Sequence, residues 1–63
     1  MNLDTYNQQL KNLTSQLTKV MDQLDATDPE KELALYEERT GAMIEIQANL
    51  NLLDIQYNAE RKQ

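Results

Sequence analysis

The sequence predicts an all-α fold: two amphipathic helices, spanning about residues 3–25 and 29–61, folded back on each other as an antiparallel hairpin. Three observations lead there. Apolar residues recur in heptads through the N-terminal third of the chain. A single proline, flanked by acids, separates two helical stretches. One glycine and one proline in 63 residues are too few for a β fold, which needs a turn every several residues. Residues 1–63 read as one small domain.

The first helix rests on Leu3, Tyr6, Leu10, Leu13, Leu17, Val20 and Leu24, spaced 3, 4, 3, 4, 3, 4. That is an unbroken coiled-coil seam. Asn2 is placed to cap it, with Asp4 in the first turn, where the helix dipole favours an anion. Leu13 and Leu17 are expected to be fully buried.

The segment Ala26-Thr27-Asp28-Pro29-Glu30-Lys31-Glu32 ends one helix and begins the next. Pro29 drives Asp28 out of the α region and suits the first helical position, where no amide hydrogen is needed. Asp28 is one candidate N-cap; Thr27 with Glu30 forms an alternative capping box. Two amphipathic helices on a short link fold antiparallel. A tight link sets Leu24 near Leu33, and Leu3 near Leu50 and Leu53. Residues from about 55 onward, Ile55 and Tyr57 among them, then overhang the first helix.

The second helix, with Arg61 and Lys62 complementing its C-terminal dipole, has apolar residues on two faces. Leu33, Tyr36, Met43, Ile46, Leu50, Leu53 and Tyr57 form the face expected to meet the first helix. Gly41, Ile44, Ala48, Leu52, Ile55 and Ala59 form a second face, about 140–180° away on the helical wheel. Gln47, Asn51, Asp54 and Asn58 separate the faces on one side, and Glu45, Asn49 and Gln56 on the other. A helix with one neighbour needs one apolar stripe. The second stripe is either scattered exposed aliphatic surface or the interface with another helix.

Size points to a partner. Roughly 6,400 Å² buried on folding, about 60% of it apolar, contributes on the order of 95 kcal/mol. Ordering the chain costs about the same, so burial against another chain is the expected source of further stability.

Most chemistry is excluded by composition. The chain has no His and no Cys, which removes zinc sites, disulfides, thiol catalysis and imidazole acid–base chemistry. Ser15, the one serine, therefore has no catalytic partner. A single glycine builds neither a P-loop nor a dinucleotide-binding turn. No enzyme activity, cofactor or metal is expected.

Net charge is −5, and Lys11, Lys19, Lys31, Arg39, Arg61 and Lys62 are dispersed, so nucleic acid is not an expected ligand. A membrane is not one either, because no apolar run reaches the ~20 residues of a span. The polar, acidic N-terminus does not read as a signal peptide, and a cytoplasmic location is expected.

Two surface features remain. Residues 22–38 carry seven acids, Asp22, Asp25, Asp28, Glu30, Glu32, Glu37 and Glu38, against Lys31 alone, or −6 at the hairpin tip. This is either a solvated tip or a docking site for a basic surface. Gln9, Gln16 and Gln23 recur every seven residues along the first helix. Neutral amides there suit either solvation or a crowded bundle.

Leu24 through Tyr36, LDATDPEKELALY, resembles the helix–turn–helix of small type III secretion needle and inner-rod subunits. The opening Met1-Asn2-Leu3 with Gln8-Gln9 is similar to some needle subunits. The resemblance implies a helical hairpin working in a secretion apparatus, as a subunit or as one of its hairpin chaperones. From the residues themselves, the expected role is a protein–protein interaction or assembly module. One form is a homodimer completing a four-helix bundle through the second face of the second helix. The other is a small chaperone or acidic inhibitor that binds a helix of another protein.

Overall fold

The computed structural model describes residues 2–61. Two helices, α1 (Leu3–Asp25) and α2 (Leu33–Arg61), pack against each other along their length as an antiparallel hairpin. Lys62, expected to complement the end of the second helix, lies outside the described residues.

Asn2 caps α1 as expected. Its backbone is extended (φ −86°, ψ 169°), and its side-chain oxygen accepts from the Thr5 amide at 2.8 Å. The Tyr6 amide donates to the Asn2 carbonyl at 3.0 Å. The far end closes through Ala26, whose amide donates to Asp22 O, and through Thr27, whose amide donates to Leu24 O at 3.1 Å.

The link is longer than expected. α2 begins at Leu33 rather than Pro29, leaving Ala26–Glu32 as connection. Asp28 does act as a cap, but of one isolated turn: its Oδ1 accepts from the Glu30 amide at 2.9 Å, and its carbonyl accepts from Glu32 at 2.8 Å. The alternative capping box is not made, because the Thr27 hydroxyl donates to Gln23 O at 2.6 Å instead. Helix proper resumes with the Tyr36 amide on Glu32 O at 2.9 Å. Packed helix axes lie about 8–10 Å apart, and the extra turn carries the chain across that gap while Thr27 folds back under α1.

This link resets the register. The Tyr6 and Tyr57 rings stack at 4.2 Å between centroids, and Arg39 reaches Gln23 O at 3.2 Å. Leu10 therefore stands level with Leu53, Leu13 with Leu50, Leu17 with Ile46 and Val20 with Met43. The expected pairings of Leu24 with Leu33, and of Leu3 with Leu50 and Leu53, are off by one heptad. Tyr57 is covered by Tyr6 instead of overhanging. Leu33 falls beyond the end of α1 and Leu3 stands level with the last turn of α2; each is more than half exposed, so neither belongs to the core.

That core is thin. Ile46 (9% exposed) and Leu53 (4%) are its buried apolar residues. Tyr6, Leu10, Leu13, Leu17, Val20, Leu24, Tyr36, Met43, Leu50 and Tyr57 are half-buried, as is Leu35, which the seam did not include. Leu13 and Leu17 fall short of full burial because a two-helix seam stays open along both flanks, with no third element to close it. The molecule measures 50 × 16 × 10 Å, with a radius of gyration of 14.7 Å, against about 10.6 Å for a compact chain of this length.

Candidate interaction site

Three places on this hairpin bring side chains together. The first is where the tip meets the body. Arg39 donates through Nη1 to Gln23 O and to the Thr27 hydroxyl. Thr27, 5% exposed, is the buried polar residue among those described. α1 has no basic residue in its last turn, and Arg39 brings from α2 the cation that a helix C-terminus favours. Neither residue was singled out for this role from sequence. The signal was there: Tyr36, Arg39, Met43, Ile46, Leu50, Leu53 and Tyr57 repeat the same 3, 4 spacing as α1, with Arg39 at one seam position. Arg39→Met should cost about 1–3 kcal/mol, the range for a lost charged hydrogen bond with its partners left behind. Combined with Thr27→Val in a double-mutant cycle by urea denaturation, it should prove non-additive; additive losses would mean that the clamp is not a unit.

The second is at the open end, where the Tyr6 hydroxyl donates to Asp54 Oδ1 at 2.5 Å beneath the Tyr6–Tyr57 stack. The hydrogen bond to Asp54, aided by partial desolvation and the nearby carboxylate charge, raises the Tyr6 pKa above its usual 10.0. A folded-state pKa above the unfolded value means stabilisation that is fully present below pH ~10 and lost as the pH rises through the folded pKa. Ultraviolet absorbance titration should therefore show a phenol ionising above pH ~10 that disappears in Tyr6→Phe. Its persistence in that variant would assign it elsewhere.

The third is the exposed surface of α2. Ile44 (58% exposed), Leu52 (52%) and Ile55 (64%) lie bare, and Gly41, Ala48 and Ala59 are exposed beside them. Nothing lies within 4 Å of where a Gly41 Cβ would stand. Of these, Leu52 also has a place in a groove. It lines an open groove of about 380 Å³ between the helices, together with Leu13 and Leu53. The helical turn sets Leu52 about 60° round from Ile55, on the side of Asn49 and Gln56. Gln9, Asn12 and Gln16 of α1 and Asn49 and Gln56 of α2 complete the lining, so no ionisable residue takes part. Two of the heptad-spaced glutamines thus sit at a groove, while the third, Gln23, gives its carbonyl to the Arg39 clamp.

The seven acids of the tip are all exposed. Among the described residues no cluster of three or more potential metal ligands occurs, and no helix is long and apolar enough to cross a membrane. No known protein family, curated protein or solved structure matches the chain.

Proposed function

We propose that this protein is a non-enzymatic helical-hairpin assembly module that associates with a second copy of itself through α2, completing a four-helix bundle. The observation that carries this reading is the exposure of Ile44, Leu52 and Ile55 on a hairpin whose buried apolar residues are Ile46 and Leu53. A helix with apolar residues on more than one face is suited to more than one neighbour. Surface area supports the same reading. The chain exposes 5001 Å², where a compact protein of its mass exposes about 4,200 Å².

Sedimentation equilibrium over a wide concentration range tests this. A dimer at micromolar concentration, with helicity that rises alongside association, is the expected result. A chain that stays monomeric up to the highest concentration refutes self-association.

A second reading, favoured by the −6 charge of the exposed tip, is a small chaperone or acidic inhibitor that engages a helix of another protein. By the resemblance of its turn, this would be of the secretion-apparatus kind. A marginally folded monomer in the same experiment supports it.

A further inference from the structure

Resting on the self-association reading, we infer that two copies pair antiparallel about a two-fold axis, with α2 of each seated in the amide-lined groove of the other. Two features of the groove select a second copy as the occupant. In a two-fold interface each patch meets its own copy, so a patch carrying one sign of charge would face the same sign, on chains that each carry −5. The groove lining is free of ionisable side chains. Its amides each carry both donor and acceptor, so the same row of groups is complementary to itself. Leu52, half exposed beside them, supplies the apolar contact.

Charge along the long axis selects the orientation. Residues 22–38 hold −6 of a total of −5, so the remainder of the chain carries +1. Parallel pairing would stack the two acidic tips. Antiparallel pairing sets the two tips at opposite ends of the pair, on a molecule 50 Å long. The helix that inserts is α2, because half-exposed Leu52 stands beside Asn49 and Gln56 at the groove, whereas the exposed large apolar residues of α1, Leu3 at its end and Met21, do not line it.

The groove is centred on α2 near Leu52 and Leu53. A two-fold axis there sets Asn49 of one copy against Gln56 of the other. The chain has no cysteine, so Asn49→Cys and Gln56→Cys, both at exposed positions, report without background. A disulfide requires Cα atoms within about 7 Å. Under mild oxidation, an equimolar mixture of the two variants should form the mixed disulfide at least tenfold more than either forms alone. Dominant Asn49→Cys self-linkage would overturn the antiparallel orientation. Linkage through Ile44→Cys or Ile55→Cys, with none at the groove in a chain that still sediments as a dimer, would overturn the groove while leaving self-association standing. A monomer by sedimentation would overturn both.

Discussion

Leu53→Ala is expected to unfold most of the protein at micromolar concentration. Leu53 is the most buried apolar side chain, at 4% exposure, and stands level with Leu10 midway between the Tyr6–Tyr57 stack and the Leu13 level. Truncating a buried leucine removes its transfer energy and leaves a void, at a cost of about 2–5 kcal/mol. Small domains of this size have only about 3–5 kcal/mol to lose. Ile46→Ala should behave similarly. Leu13→Ala and Leu17→Ala, at half-buried positions, should fall at or below the lower end of that range. Leu3→Ala and Leu33→Ala should cost less than about 1 kcal/mol, as surface substitutions do. Helical circular dichroism against urea reads all six. Losses below about 1 kcal/mol at both Leu53 and Ile46 would mean that the helices are not held by this seam.

Leu52→Lys is expected to weaken self-association at least 100-fold, about 2.7 kcal/mol. In the isolated hairpin the change is mild. Leu52 is half exposed at the groove, so a lysine stem can lie along the apolar floor with its ammonium in water. Against a second helix the same ammonium loses water and gains no partner, which costs several kcal/mol. Helicity at high protein concentration should largely survive. Gln47→Lys, on the polar strip between the faces, should leave the dissociation constant unchanged. If Leu52→Lys sediments as the parent does, Leu52 is bare aliphatic surface and the assembly reading loses its main support.

Much of the architecture was legible in the residues. The 3, 4 spacing from Leu3 to Leu24 marked α1 and its inward face, Asn2 marked its start, and the Asp28-Pro29 turn marked where the chain reverses. Of the proposed interface, Ile44, Leu52 and Ile55 were legible as a second stripe, and each is exposed. The groove was half legible: heptad-spaced glutamines stand out along α1, while Asn49 and Gln56 across from them belong to a strip of α2 that reads simply as polar.

What the sequence by itself determined is which face of each helix turns inward; how far along one helix the other sits was decided only in three dimensions. A heptad pattern is unchanged by sliding it seven residues, so the seam satisfies the pairing of Leu24 with Leu33 as well as the observed one. The choice was made by interactions between residues far apart in the chain: Tyr6 stacking on Tyr57 at one end, and Arg39 reaching Gln23 and Thr27 at the other. With the seven-residue link they move α2 one heptad along α1, which strips Leu3 and Leu33 from the core and brings Tyr57 under cover. The heptad spacing alone does not distinguish the two registers, and the directional contacts at the ends mark the observed one.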